Sequence, residues 1–306
     1  LTLHASFSTM ARMKDHDTLQ RFLFDGTDIR GEITTLTSSY RNILALNNYP
    51  APIALLFGEF LVAASLIGAS LKHAGIVTVQ ATGSGPVTAI MAECTQNQGV
   101  RGIVRGNFEL LDSSKLGDTP NITELLGSAT LAITIEPETG ERYQGIVEMV
   151  SSKLSDCLEH YFQQSAQLKT KIKLAVSTKS ASGLLLQQMP LTQSTEQADL
   201  NWQHLSTLMD TLKDSEQLKL SHNDQLYRLF HEDNIRTFES QHISFFCSCS
   251  LERTKRALVS LGSDELLETC KEQGLVIITC QFCDQEYRFD KNSIQAMFPP
   301  PDDILH

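Results

Sequence analysis

Apolar positions recur along this chain in two rhythms. Thr78-Val79-Gln80-Ala81-Thr82 and Leu131-Ala132-Ile133-Thr134-Ile135 alternate as half-buried strands do. Tyr143-Gln144-Gly145-Ile146-Val147 follows the second of these after a turn at Glu138-Thr139-Gly140-Glu141, so the pair reads as a hairpin. Helical spacing marks residues 53–71, and again Leu154–Gln164, where Leu154, Cys157, Leu158, Tyr161 and Phe162 share a face. The stretch from Ile53 to Leu71 is about as long as a membrane span. Glu59 interrupts it, however, and Gly58, Ala63, Ala64, Ser65, Gly68 and Ala69 dilute it, which predicts a buried helix with a small-residue packing face. From Leu19 to about Pro190 the two rhythms mix without a repeat, the pattern of one α+β domain.

After Met189-Pro190 the pattern changes. Residues 191–241 are rich in Ser, Thr, Gln and Asn, with nine Asp/Glu against four Lys/Arg. Leu205, Leu208, Leu212, Leu218, Leu220, Leu226, Leu229 and Phe230 still keep an apolar stripe, and Trp202 adds a large anchor. Such helices must dock on something. A segment that is helical only while its stripe is covered is an order-to-disorder element, because short isolated helices are marginal in water. A permanently docked helical subdomain fits the same residues equally well.

Composition then narrows the class. The chain has 306 residues, 41% of them hydrophobic, enough for roughly two domains. Its net charge of −11 argues against a nucleic-acid backbone or an anionic membrane as the main partner, since both reward clustered Lys and Arg. Residues 1–14 carry no apolar run of the kind a signal peptide needs, so a cytoplasmic location is expected, with Met10 or Met13 as the start and the preceding residues as an extension. In that compartment thiols are normally kept reduced.

Seven cysteines change the picture most. Cys94 and Cys157 stand alone and are expected to pack as small apolar residues, while five crowd between Cys247 and Cys283. Cys247-Ser248-Cys249 and Cys280-Gln281-Phe282-Cys283 offer four sulfurs in two close pairs, separated by helical patterns at Leu251–Leu261 and Asp264–Gln273. Zinc takes thiolates at about 2.3 Å in a tetrahedron, and each pair can supply one edge. The unit from Ile243 to about Phe298 is only just large enough to fold without such a staple. One zinc per chain on Cys247, Cys249, Cys280 and Cys283 is therefore expected. Cys270, in a helical pattern after Leu266 and Leu267, is assigned to packing. Cys-x-Cys is unusual for a purely structural zinc ribbon. Cys247 and Cys249 can bond to each other only in a tight, readily reduced ring, and loss of metal removes the free energy that folds the unit, so the site has the makings of a switch.

In order along the chain stand Arg21-Phe22-Leu23-Phe24, Arg30-Gly31-Glu32, Gly58-Glu59, Gly83-Ser84-Gly85-Pro86, Arg101-Gly102-Ile103-Val104-Arg105, Gly140-Glu141-Arg142-Tyr143-Gln144-Gly145 and the two cysteine pairs. With these the sequence closely resembles the heat shock protein 33 family from about Asp15 to Phe289. The resemblance implies a mixed N-terminal core domain over 15–192, a metastable helical linker over 193–243 and a zinc-binding redox-switch domain over 244–298, between an extension at 1–14 and a tail at 299–306. It implies an ATP-independent holdase, not an enzyme, that is inactive while reduced and zinc-bound. Oxidation with unfolding stress would release zinc and form the disulfides Cys247–Cys249 and Cys280–Cys283. The linker would then unfold, and homodimers would capture unfolding client proteins, with neither nucleic acid nor membrane as partner.

Two rival readings are weaker. A nucleic-acid-binding zinc ribbon would use Arg253, Lys255 and Arg256 with exposed Phe282 and Tyr287, against the acidity of the chain. A thiol oxidoreductase centred on Cys280 and Cys283 would need that pair to open a helix, whereas it follows the strand-like Leu275–Thr279. Gly83-x-Gly85-Pro86 lacks the third glycine of a phosphate loop and reads as a turn. His242 is not needed as a ligand where four thiolates fill a structural zinc.

Overall fold

The computed structural model describes residues 16–71, 74–111 and 121–298. The extension expected at 1–14 and the tail expected at 299–306 lie outside them. Two compact units part between Phe245 and Phe246.

The first unit opens with strands β1 (Thr18–Phe24) and β2 (Ile29–Leu36), helices α1 (Ser38–Ala45) and α2 (Ala51–Gly68), and strands β3 (Gly75–Gly83), β4 (Val87–Thr95) and β5 (Gly99–Gly106). It continues with α3 (Ile122–Leu126), β6 (Ala129–Pro137), β7 (Tyr143–Glu148), α4 (Leu154–Tyr161), β8 (Thr170–Val176) and β9 (Ala181–Gln188). Helices α5 (Thr195–Asp210), α6 (Asp214–Gln217) and α7 (His222–Phe230) follow, and then the short strands β10 (Ile235–Thr237), β11 (Gln241–His242) and β12 (Ser244–Phe245). The second unit comprises α8 (Leu251–Val259), α9 (Ser263–Gln273), the hairpin β13 (Val276–Thr279) and β14 (Glu286–Phe289), and α10 (Lys291–Met297).

One sheet runs β10-β1-β2-β9-β8, with β11 also paired to β1, and the other runs β12-β5-β4-β3-β6-β7. Helix α2 packs on strands of both. It is long and apolar enough to cross a membrane by length and composition, yet 72% of that span is buried inside the fold. Its small residues make the close approach possible. A Cβ on Gly58 would stand 2.7 Å from Val176 and one on Gly68 2.9 Å from the Cys94 sulfur. The expected hairpin is present: Ile133 pairs with Gly145 and Ile135 with Tyr143. Gly83-Ser84-Gly85-Pro86 turns β3 into β4 and lies so close to the end of α3 that a Cβ on Gly83 would meet the Leu126 carbonyl at 2.2 Å.

The first sheet is buried on both faces. Strand alternation sends Leu19, Leu36 and Leu185 toward the α2 core. Phe22, Phe24, Ile29, Ile33, Leu184 and Leu186 face the other way, where Leu205, Met209, Leu212, Leu226, Leu229 and Phe230 cover them. Residues 193–243, the expected linker, therefore belong to the first unit's own core. Hydrogen bonds fix their path. The Asp28 carboxylate accepts from the Thr192 amide (2.8 Å) and hydroxyl (2.6 Å), which holds it below the usual carboxylate range. Ser194 and Ser221 cap α5 and α7. His222 Nε2 lies 3.0 Å from the buried Thr35 hydroxyl. Beyond α7 the chain pairs with β1 at Phe22↔Thr237 and Leu19↔Gln241, then crosses to lie parallel to β5 at Phe245↔Val100.

A cavity of about 560 Å³ in this unit is lined by Glu59 of α2, Glu159 of α4, Lys171 and Lys173 of β8, Asp210 at the end of α5 and Asp214 at the start of α6. Lys171 pairs with Asp210 at 3.0 Å. Burial, reinforced by the Asp214 carboxylate, pushes the Glu59 carboxyl up to about 8.

Candidate metal centre

Among the described residues, the second unit has a small core of six buried side chains, Leu258, Leu266, Cys270, Val276, Phe289 and Ile294, with Leu267, Ile278, Tyr287, Met297 and Phe298 partly buried against them. Such a core supplies little stability by itself. The cysteine pairs stand just before α8 and in the turn between β13 and β14. Cys247 and Cys249 precede α8, whose N-cap Ser250 accepts from the Arg253 amide, while the Arg253 guanidinium donates to Ser248 Oγ at 2.8 Å. Cys280 and Cys283 lie in the turn between β13 and β14. There the Cys280 amide donates to the Gln285 carbonyl (2.9 Å) and the Asp284 amide to the Cys280 carbonyl (2.8 Å), with Asp284 in the left-handed region at φ 56°.

These two stretches bring the four sulfurs within 4.8 Å of one another, each cysteine half-buried. Cys247 Sγ lies 3.7 Å from Cys280 Sγ and Cys249 Sγ 3.4 Å from Cys283 Sγ. A tetrahedron with arms of about 2.3 Å has edges of about 3.8 Å, so the spacing and the all-thiol donor set suit a single soft or borderline ion. Burial pushes the Cys280 and Cys283 thiols up, toward the neutral form. A bound cation reverses that preference, because coordination deprotonates a thiol outright. The four sulfurs can hold one metal ion.

The Tyr287 hydroxyl donates to Cys249 Sγ at 3.2 Å, a bond that pushes the phenol up to about 12. Phe282 and Tyr287, read from the sequence as exposed, are both half-buried. The other three cysteines are not brought to the cluster. Cys94 and Cys157 are fully buried in β4 and α4, and Cys270 lies in the small core with its thiol 3.8 Å from the Phe289 carbonyl. His242 sits in β11 opposite Thr18, and Arg101 pairs with Glu93 at 2.6 Å.

One buried apolar surface was not legible as such in the sequence: the face of the first sheet beneath α5 and α7. Its signals are the alternation of Phe22 and Phe24 and the run Leu184-Leu185-Leu186, which is buried on both sides.

Comparison with known proteins agrees with this architecture. The family model described as Hsp33 protein matches residues 17–290. The 33 kDa chaperonin of Azotobacter vinelandii (strain DJ / ATCC BAA-1303) is 44% identical over 289 residues, covering 94% of this chain and 96% of that one. That of Pseudomonas aeruginosa (strain UCBPP-PA14) is 44% identical over 291 residues with the same coverage. The crystal structure of the 33 kDa chaperonin (Heat shock protein 33 homolog) from Thermotoga maritima superimposes with a TM-score of 0.79 at 22% identity, covering 92% of this chain and 98% of that one, and so shares the fold.

Proposed function

The chain belongs to the Hsp33 family, and from that premise we propose that it is a redox-regulated, ATP-independent holdase whose switch is the four-cysteine cluster. It is a chaperone and not an enzyme. The observation that carries the redox reading is the gathering of four thiols at one point in a unit with a six-residue core.

Cys247, Cys249, Cys280 and Cys283 would hold one Zn²⁺. When bound, the ion keeps the four sulfurs as thiolates and supplies folding free energy to the unit around them. Thiolates are the nucleophilic form that reacts with peroxides. One thiolate takes the terminal oxygen of a hydroperoxide, giving a sulfenic acid and releasing hydroxide or alkoxide. A second thiolate then attacks that sulfur, forming the S–S bond and expelling hydroxide. Two equivalents of peroxide thus convert four thiolates into two disulfides. The family resemblance implies that the two bridges join sequence neighbours, Cys247–Cys249 and Cys280–Cys283.

Phe245 ends β12 and Phe246 begins the second unit, so the segment 193–243 and the cysteine cluster are close neighbours along the chain. Unfolding that propagates into this segment uncovers Phe22, Phe24, Ile29, Ile33, Leu184 and Leu186. An apolar surface of this kind binds the exposed hydrophobic patches of unfolding clients. Homodimerisation on activation and action in the cytoplasm, away from nucleic acid and membrane, complete the reading.

Zinc content, free thiols and suppression of client aggregation, measured before and after peroxide at raised temperature, test it together. The expected result is one zinc per chain before treatment, loss of four thiols with the zinc, and suppression only afterwards. Equal suppression by the reduced, zinc-loaded protein would sink the switch.

A further inference from the structure

The second knuckle is closed by its own backbone, where the amides of Cys283 and Asp284 donate to the Cys280 carbonyl. Cys249 takes its donor from elsewhere. Tyr287 stands on β14 opposite Ile278, on the hairpin that carries the second knuckle, and its hydroxyl reaches across to Cys249 Sγ at 3.2 Å. We propose that Tyr287 is a positioning residue of the metal centre, whose hydroxyl orients Cys249 toward the ion and lowers the reactivity of that one sulfur. The inference rests on the reading of the cluster as a zinc site.

The physical basis is twofold. A hydrogen bond to a thiolate spreads its charge and occupies a lone pair, so the sulfur is a weaker nucleophile. Outer-shell donors also fix the orientation of a ligand and are worth about 10–100-fold in metal affinity. The site is open to reagents. Cys249, Cys280, Ala257, Leu258, Leu261 and Ile278 line a cleft of about 410 Å³, with Tyr287 on its wall. The Tyr287 ring packs on the small core, so Tyr287→Phe keeps the packing and deletes only the donor.

The test uses full-length protein loaded with Zn²⁺. Tyr287→Phe is expected to weaken zinc by at least ~10-fold in competition with a chromophoric chelator. It should also speed N-ethylmaleimide labelling of Cys249, read per residue by mass spectrometry, while labelling of Cys280 stays within about twofold, the scale expected for a donor acting on one sulfur. With Co²⁺ as probe, the sulfur-to-cobalt absorption bands should shift. Replacing Tyr287 by 3-fluorotyrosine, a stronger donor of nearly the same shape, should slow Cys249 labelling, which keeps the test informative if Tyr287→Phe folds poorly. Unchanged zinc affinity and Cys249 labelling in a zinc-loaded variant overturn the inference, as does faster labelling with 3-fluorotyrosine. A wild-type protein that binds no zinc overturns instead the reading on which it rests.

Discussion

Cys249 Sγ stands 3.4 Å from Cys283 Sγ across the two knuckles, and Cys247 Sγ 3.7 Å from Cys280 Sγ. All four sulfurs lie within 4.8 Å of one another, so the folded unit leaves cross-knuckle bridges open beside the proposed neighbouring ones, while an unfolded chain no longer holds the two knuckles together. Disulfide mapping should therefore depend on conditions. Oxidation with heat or mild denaturant is expected to give Cys247–Cys249 and Cys280–Cys283, and the share of these neighbouring pairs should rise with denaturant. A pairing pattern that ignores temperature and denaturant would contradict this.

Cys283→Ser removes a ligand rather than an orienting group. Zinc affinity should fall by more than the ~10–100-fold typical of outer-shell changes. Chelator competition reads the affinity, and hydrogen exchange should show protection lost in residues 246–298. Retention of full protection there would mean that the six-residue core folds unaided.

Phe230 packs edge-to-face on Phe24, with ring centroids 5.0 Å apart, and both are buried. Phe230→Ala should cost about 3–5 kcal/mol of packing, charged mainly to docking of the segment 193–243. The reduced protein should then suppress client aggregation without oxidant while still carrying one zinc. Light scattering and zinc content, measured on the same sample, check the two halves of this statement.

Glu59 makes the first unit sensitive to alkali. Its carboxyl lies at about 8 in the fold against 4.5 ordinarily, so the folded state prefers the proton. The stability this contributes is fully present below about 4.5, declines as pH rises, and is gone above about 8. Glu32, a buried residue, sits at about 7 despite Arg30 and Arg21, and acts in the same direction over a narrower window. Glu59→Gln should flatten the profile, with a melting temperature at least ~2 °C above wild type at pH 9 and little different at pH 4. Thermal unfolding followed by circular dichroism at the two pH values measures it. A wild type that melts higher relative to Glu59→Gln at pH 9 than at pH 4 would reverse the sign.

How much of this was legible in the sequence depended on how local each signal was. The thiol pairs declare themselves by spacing within four residues, and α2 by an apolar run that only Glu59 breaks. The first sheet was obscured because β9 is buried on both faces: Leu184, Leu185 and Leu186 show no alternation for a period-two reading to find. The stripe on α5 and α7 told that they dock, but the surface they dock on is assembled from Phe22, Ile33 and Leu186, far apart in the chain. Strands of two or three residues such as β10 and β11 exist only through their pairing with β1 and have no pattern of their own.

That pairing has a further consequence. Withdrawal of residues 235–245 would strip β1 of β10 and β11, and β5 of β12, leaving unbonded amides and carbonyls along a sheet margin in each case. Main-chain groups are the same in every polypeptide. A disordered chain could satisfy them by lying alongside, whatever its side chains, and a protector of many unrelated sequences needs that kind of indifference.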